Sequence, residues 1–392
     1  MKYHPRRLEK VLLERLSQFP VVALTGPRQS GKTTLVKHLL PDWKYVSLED
    51  FDQRMSAQED PRGFLRLWKP GTIIDEFQRA PELVSYLQGI VDRENRTGQY
   101  VLTGSQSYVL HAQLSQSLAG RVGLLVLHPF SHSELSPDNS DEDVWDSIFK
   151  GGFPRVVLNR VPAEVWFPSF TATCLERDVR QMLAIKNLEQ FQLFIRLLAA
   201  RAGQLVNYAS ISRDCSISVP TTRQWLSVLQ AGYLVHRLPP WFSNTRKKLV
   251  KTPKVYFSDT GLLCHLMDIH SAHELTSHPQ RGVVFENWVV LEVLKSATHN
   301  GLEPDLHFWR DSDGNEVDLI ATVKGRSATI EAKASETARQ SHVKGLKYLR
   351  IHEEIPSTNL LVYGGKLPLS LGDVKVVPWD KVNENLSAAW NL

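Results

Sequence analysis

From Pro20 to about Leu127, short apolar runs rich in β-branched residues are separated by stretches of helical periodicity. The runs VVALT (Val21 to Thr25), YVSL (Tyr45 to Leu48), TIID (Thr72 to Asp75), YVLTG (Tyr100 to Gly104) and VGLLVL (Val122 to Leu127) read as strands. They are continuous rather than alternating, as strands buried on both faces of a parallel sheet require. The pattern predicts an α/β domain. Between Ser131 and Asp146 the chain turns to Ser, Pro and acid, with Asp138, Asp141, Glu142, Asp143 and Asp146 close together. That composition predicts an exposed connecting loop, with a boundary near Gly151, Gly152 and Pro154.

Beyond it, Trp166 to about Met182 reads as a helix with a charged end, Glu176-Arg177-Asp178. Helical patterns at Gln190 to Ala202, Tyr208 to Cys215 and Val219 to Gln230 then precede two strands, Tyr233 to Arg237 and Lys254 to Phe257. Three helices and a two-stranded wing describe a winged helix-turn-helix. In its third helix Thr222, Trp225, Leu226 and Leu229 recur at helical spacing and face the core, leaving Thr221, Arg223, Gln224 and Ser227 outward. The last segment mixes strand and helix patterns. The expected division is therefore residues 1–150, 151–257 (a helical linker plus the basic winged helix) and 258–392.

The composition, 42% hydrophobic and 22% charged with 22 Gly, 21 Pro and 3 Cys, excludes collagen-like, low-complexity and disulfide-scaffold classes. No apolar run approaches the ~20 residues that span a bilayer, and the first twenty residues lack the apolar core of a secretion signal. The expectation is a cytoplasmic protein without a membrane partner. Cys174, Cys215 and Cys264 lack metal-like spacing and receive no role. The net charge of +4 names no partner, but its distribution is uneven. From Gln190 to Tyr256 ten Lys or Arg face one acid, Asp214, so the rest of the chain is net acidic.

Directly after the first strand comes Gly26-Pro27-Arg28-Gln29-Ser30-Gly31-Lys32-Thr33, which matches GxxxxGK[ST] and opens a helix, Thr34 to Leu40. Backbone N–H groups of such a loop and the positive helix end cradle phosphate oxygens. Lys32 reaches the β and γ phosphates and Thr33 ligates Mg²⁺. Downstream, TIID ends in Asp75 and Glu76, where Asp75 would hold Mg²⁺ through water and Glu76 would act as general base. YVLTGS places Ser105, with Thr103 as second choice, to sense the γ-phosphate. Arg121 in SLAGR is either an arginine finger reaching a neighbouring subunit or a surface Arg favoured by a helix C-terminus.

The order GPRQSGKT, TIIDEFQRAPEL, YVLTGS, SLAGR, GGFP and LERDV resembles the prokaryotic AAA+-like P-loop ATPases with a carboxyl-terminal domain of unknown function, over nearly the whole chain. The resemblance implies an ASCE-type parallel sheet, ATP as nucleotide, and by analogy a second sensor at Arg177.

The loop from Pro239 to Pro253 carries Trp241, Phe242, Asn244, Arg246, Lys247 and Lys248. Basic groups neutralise phosphates with counterion release and aromatic groups stack on bases, so DNA is the expected partner, through Thr221, Arg223, Gln224 and Arg246 to Lys248. A basic winged helix also docks protein or promoter DNA in nucleotide-controlled switches, and that alternative stands beside it.

In the last segment three pieces fit a PD-(D/E)XK nuclease-like α/β core. Glu286 lies on an apolar helix stripe with Val290, Val293 and Ala297, whereas Glu292, on a face with Lys295 and Ser296, is expected in solvent. Asp318 sits in the strand Asn315 to Ile320, and Glu331 with Lys333 share one face of the strand Thr329 to Lys333. For Asp318 and Glu331 to share a second Mg²⁺ or a Mn²⁺ they must oppose each other in a hairpin. That register sets Thr322 opposite Ser327 and leaves Val323, Lys324, Gly325 and Arg326 as the loop. Two carboxylates and a lysine can cleave phosphodiesters, or persist as a binding relic with an ordinary Glu and Lys ion pair.

Overall fold

The computed structural model describes residues 3–105, 118–135, 142–175, 188–241, 252–353, 355 and 357–392. The chain divides into two compact units. The first holds Met1–Phe130, Ala231–Tyr233 and Thr298–Gly301, and the second holds the remainder. Three compact parts were expected. A single apolar core runs through the second and third of these, from Val144 and Phe191 through Trp225 and Tyr256 to Ile330 and Trp390. The described part of the 131–146 stretch also departs from expectation: Ser131, His132 and Glu134 are buried, with the Glu134 carboxylate accepting from Ser131 N at 3.0 Å.

In the first unit five parallel strands, β1 (Val21–Thr25), β2 (Lys44–Ser47), β3 (Thr72–Asp75), β4 (Tyr100–Gly104) and β5 (Val122–Val126), stand in the order β2-β3-β4-β1-β5. β4 is inserted between β1 and β3, so this is the ASCE order that the resemblance implied. Helices α1 (Leu8–Gln18), α2 (Lys32–Leu39), α3 (Phe51–Glu59), α4 (Pro61–Leu67) and α5 (Leu83–Glu94) accompany it. Separate apolar clusters form on its two faces: Val21, Ala23 and Ile74 contribute to one, Val22, Leu24 and Ile73 to the other. Successive strand residues point to opposite faces, which is why the apolar runs are continuous.

In the second unit, α6 (Leu188–Ala200), α7 (Tyr208–Asp214) and α8 (Val219–Ala231) are followed by the antiparallel pair β6 (Val235–Leu238) and β7 (Lys254–Phe257). Thr222, Trp225, Leu226 and Leu229 of α8 are buried, while Arg223, Gln224 and Ser227 are exposed. β6 starts later than expected because Tyr233 has φ +57°, a left-handed conformation that breaks an extended run. Of the expected 166–182 helix, the described residues form an α-helix at Ala163–Phe170, with Pro168 inside it, and a π-helical turn at Thr171–Leu175; residues 176–182 lie outside the described residues. Helix α9 (Arg281–Thr298) then leads to a six-stranded mixed sheet of β8 (Asp305–Arg310), β9 (Glu316–Val323), β10 (Arg326–Lys333), β11 (Ser357–Tyr363), β12 (Leu369–Leu371) and β13 (Val374–Pro378). Its order is β12-β13-β11-β10-β9-β8, and α10 (Lys344–Glu353) and α11 (Val382–Trp390) complete the unit.

The β9–β10 hairpin has the register that the sequence pattern predicted, with Thr322 opposite Ser327 and their hydroxyls 2.8 Å apart. Its loop is tighter than the predicted four residues, because Val323 pairs with Arg326. Only Lys324 (φ +49°) and Gly325 (φ +75°) turn the chain, a pair of positive φ values suited to the twist of adjoining strands. Among the described residues no helix is long and apolar enough to cross a membrane.

Candidate functional sites

The phosphate loop follows β1 at the carboxyl edge of the first sheet. Gly26 has φ +141°, and a Cβ there would lie 2.2 Å from Leu127 O, so only glycine admits the turn. Gln29 (φ +60°) and Gly31 (φ +100°) complete the loop, and α2 starts at Lys32, two residues before the predicted Thr34. Lys32 is buried and donates from Nζ to Gly26 O at 2.9 Å and Pro27 O at 2.8 Å. Its ammonium therefore bonds to carbonyls of its own loop. Thr33 Oγ1 donates to Asp75 Oδ2 at 2.9 Å, which Tyr45 OH also bonds at 2.7 Å. Burial, then the Asp75 contact, push the Tyr45 pKa up and keep it a neutral donor. Thr103 Oγ1 donates to Asp75 Oδ1.

ATP and Mg²⁺ fit these residues on two observations. Ser30 Oγ, in the middle of the loop, is buried without a hydrogen-bond partner, as a phosphate-facing hydroxyl would be before its ligand arrives. Thr33 and Asp75 present paired hard oxygen donors, the set Mg²⁺ takes. Thr34 is exposed on the first turn of α2, and Arg28 stands 3.8 Å from Glu49.

Two residues of this site escaped the sequence reading. Gln78 lies in the 3₁₀ turn Phe77–Arg79 and donates from Nε2 to Glu76 Oε2 at 2.5 Å and to Ser105 Oγ at 3.3 Å, so it joins the two residues assigned to water activation and sensing. Arg6, buried ahead of α1, donates to Ser30 O at 3.1 Å and His128 O at 2.7 Å and so ties the loop to the strand beside it. The adjacency of Gln78 to the DE pair was a usable signal for the first. No pattern in the sequence marks the second.

Arg121 lies at the opposite edge of the sheet. Its carbonyl accepts from Val21 N at 3.2 Å at the amino end of β1, whereas the loop begins at the carboxyl end, about 15 Å away along five residues of strand. It cannot serve its own loop from there. Its side chain is ion-paired with Asp92 of α5 at 2.5 Å.

The acid and lysine cluster of the second unit forms on one sheet face. Ala328, Ile330 and Ala332 point into the large core, so Glu331 and Lys333 point the other way, and Asp318 joins them from β9. The Asp318 and Glu331 carboxyl groups are close enough to act on each other's ionisation, the Asp318 charge pushing Glu331 upward. Lys333 Nζ stands 2.8 Å from Glu331 Oε2 and 3.3 Å from Asp318 Oδ2, and Ala332 N donates to Asp318 Oδ2 at 2.9 Å. Gly345 lets α10 approach: a Cβ there would meet Glu316 O at 2.0 Å and Glu331 Oε1 at 2.6 Å.

Glu286 adds a second half to the cluster, with partners the sequence did not suggest. It accepts from Lys254 Nζ at 3.2 Å and Tyr256 OH at 2.6 Å, and Lys254 also bridges to Glu316. Burial and the neighbouring Asp318 charge raise the pKa values of Glu286 and Glu331. Burial works against the Asp318 anion as well, but Lys333 and Lys254 outweigh it and hold its pKa below the ordinary value. The Lys333 ammonium contacts both of the acids expected to share a second Mg²⁺ or Mn²⁺.

Glu292, expected in solvent, is buried instead. It accepts from His132 N at 3.0 Å and Asn383 Nδ2 at 3.1 Å, with Lys295 at 3.5 Å. On α8, Thr221 N donates to Ser218 Oγ at 3.1 Å, a first-turn cap, and the Arg223 guanidinium lies 4.2 Å from the Tyr208 ring centre. Arg177, Arg246, Lys247 and Lys248 lie outside the described residues. Cys215 and Cys264 are buried free thiols.

Residues 18–136 match an AAA domain. Residues 141–273 and 281–382 match two domains of unknown function, DUF8612 and DUF4143. The chain is 31% identical over 382 residues to the uncharacterized protein Rv2008c of Mycobacterium tuberculosis, covering 95% of this chain and 82% of that one. It belongs to the same family. A Haemophilus influenzae relative is 25% identical over 346 residues, covering 79% and 82%. Among solved structures, the Walker-type ATPase PABY2304 of Pyrococcus abyssi is 15% identical, with 66% of this chain and 94% of that chain covered and a TM-score of 0.40. The AAA match and the sheet with its phosphate loop make the first unit of this family member a P-loop, AAA-like ATPase domain.

Proposed function

We propose that this protein hydrolyses Mg²⁺-ATP in its first unit and uses the turnover to act on DNA held by the second. The observation that carries the reading is the continuous set of contacts from Thr33 through Asp75 to Thr103, with Glu76 and Ser105 joined beside it by Gln78. Bound Mg²⁺ would be held by Thr33 and, through water, by Asp75, and would neutralise charge on the phosphates. Lys32 exchanges its two loop carbonyls for phosphate oxygens. Glu76 takes the proton of the attacking water, and Ser105 reports the γ-phosphate.

For DNA, the support is the α8 face of exposed Arg223 and Gln224 with half-buried Thr221, in a segment with nine net positive charges between Gln190 and Tyr256. α6 to α8 with β6 and β7 fit a winged helix, and the β9–β10 hairpin with α9 fits a nuclease-like core. Lys333 beside both Asp318 and Glu331 stands where a lysine of such a core positions or activates water, and Mg²⁺- or Mn²⁺-dependent nicking tests cleavage there. The test is ATP turnover measured with and without single-stranded, duplex and branched DNA. Stimulation by one of them supports the reading. Equal turnover with all three and without DNA assigns the α8 face to a protein partner and the ATPase to a nucleotide-controlled switch.

A further inference from the structure

Gln78, beside the Asp75-Glu76 pair, has a side chain whose bonding is half complete. The side-chain amide nitrogen carries two hydrogens, and both are used, on Glu76 Oε2 at 2.5 Å and Ser105 Oγ at 3.3 Å. A carboxylate only accepts, so the nitrogen and not the oxygen must face Glu76. That leaves Oε1, which is buried and has no hydrogen-bond partner. A buried acceptor of this kind is costly unless a donor arrives with the ligand. The turn that holds it is fixed. Phe77 is anchored in the core, and Glu76 has φ +55° with its N–H on Asp75 Oδ1 at 3.1 Å. A strained residue so pinned beside the metal-side acid has its carboxylate aimed by neighbours rather than by its own preference.

We propose that Gln78 orients the attacking water: its Oε1 accepts one water hydrogen while the Glu76 carboxylate, held by its Nε2, accepts the other. The water's lone pair then faces the γ-phosphorus. In the step, the water oxygen bonds to that phosphorus as the bond to the β,γ-bridging oxygen breaks. The bridging electron pair leaves on ADP, one water proton passes to Glu76, and Gln78 keeps its hydrogen bond to the other without taking it. The products are ADP and inorganic phosphate. Positioning of this kind acts on the chemical step and not on nucleotide binding.

The inference rests on the ATPase reading above, and the experiment separates the two. Turnover of ATP by the full chain is compared for the parent, Glu76→Gln, Gln78→Ala and Gln78→Glu, with binding of a non-hydrolysable ATP analogue and thermal melting measured on each. Gln78→Ala is expected to lower kcat at least tenfold with KM and analogue affinity within about threefold of the parent. Gln78→Glu keeps the acceptor oxygen but sets a second negative charge beside Glu76, so part of kcat returns and the acid limb of its pH profile moves to higher pH. A merely structural role would not move that limb. Gln78→Ala with the parent's kcat, beside an inactive Glu76→Gln, overturns the proposal and leaves the ATPase reading standing. Loss of analogue binding or of melting cooperativity in both Gln78 variants overturns it in favour of a structural role. An inactive parent, or a Glu76→Gln chain as active as its parent, overturns the ATPase reading and this inference with it.

Discussion

Lys333 Nζ sits 2.8 Å from Glu331 Oε2, and Glu331 bears the consequence of that crowded site: burial and then the Asp318 charge push its pKa well above the ordinary 4.5, although the lysine pulls it down. A carboxyl group with a raised pKa in the folded chain binds more protons there than when unfolded. Its favourable contribution is complete below pH 4.5 and is lost as pH rises toward the folded value. Each unit of that rise corresponds to about 1.4 kcal/mol. Glu331→Gln, which cannot ionise, is expected to flatten the fall in Tm between about pH 5 and pH 8 and to melt higher than the parent at about pH 8. Parallel Tm curves for the two chains across that range would show that Glu331 is ionised throughout.

At the phosphate loop, Lys32→Ala removes a cation that now bonds to Gly26 O and Pro27 O and would otherwise contact phosphates. A fall in ATP turnover of at least ~10²-fold is expected, together with weaker nucleotide binding. Glu76→Gln keeps the shape of the side chain and a hydrogen-bonding oxygen toward Gln78. It should bind ATP like the parent and turn it over ~10²-fold or more slowly. Single-turnover kinetics with labelled ATP separates binding from chemistry in both.

What the sequence made legible was local. The loop Gly26 to Thr33 is contiguous, and its strand and helix are marked by their own periodicities, so the loop, the apolar runs and the Asp75-Glu76 pair could be read without tertiary knowledge. The Asp318 and Glu331 pairing was legible for a similar reason: strand alternation and a Gly turn determine the register of a short hairpin. Lys254 and Tyr256 could not be assigned to Glu286, since 32 and 30 residues separate them and only the packing of β7 on α9 brings them together. Glu292 was misread because the helix-face argument assumed that one side of α9 meets water, whereas Leu291, Val293, Lys295 and Ser296 around it are all buried. Its partners, His132 N and Asn383, come from opposite ends of the unit. The apolar core shared by the middle and last segments was not legible either, because it leaves no trace in either segment alone.

The α8 face makes a prediction about salt. Arg223 is exposed, and its guanidinium rests over Tyr208, which presents it at a fixed place on the helix. Arg223→Ala is expected to weaken DNA binding in a sequence-dependent way with little change in salt dependence. Replacing Arg246, Lys247 and Lys248 together should weaken binding to all duplexes, with the slope of log K against log salt reduced by about 0.9 for each phosphate that is no longer neutralised. Fluorescence anisotropy across a salt series reads both. An unchanged slope in the triple variant would remove those three residues from the DNA interface.

Arg121 yields the last prediction, and the strand geometry defines it. Because Arg121 stands at the amino end of β1 and the phosphate loop at the carboxyl end, the guanidinium cannot reach a γ-phosphate in its own unit. A catalytic role therefore requires a second copy, whose Arg121 leaves Asp92 and approaches the first copy's nucleotide. The present ion pair lies in solvent, where water screens it and takes over its hydrogen bonds at little cost, so it can exchange. Arg121→Ala alone and Lys32→Ala alone should then both be inactive. Mixed together, they should recover part of the parent's ATPase activity, because an interface between the two variants holds an intact Lys32 on one side and an intact Arg121 on the other. Recovery should rise with protein concentration and be greatest near equal proportions. Asp92→Ala is the control: it frees Arg121 without removing it and should retain turnover. A parent that is fully active as a monomer, or an Arg121→Ala chain with normal kcat, would leave Arg121 as the surface partner of Asp92 and nothing more.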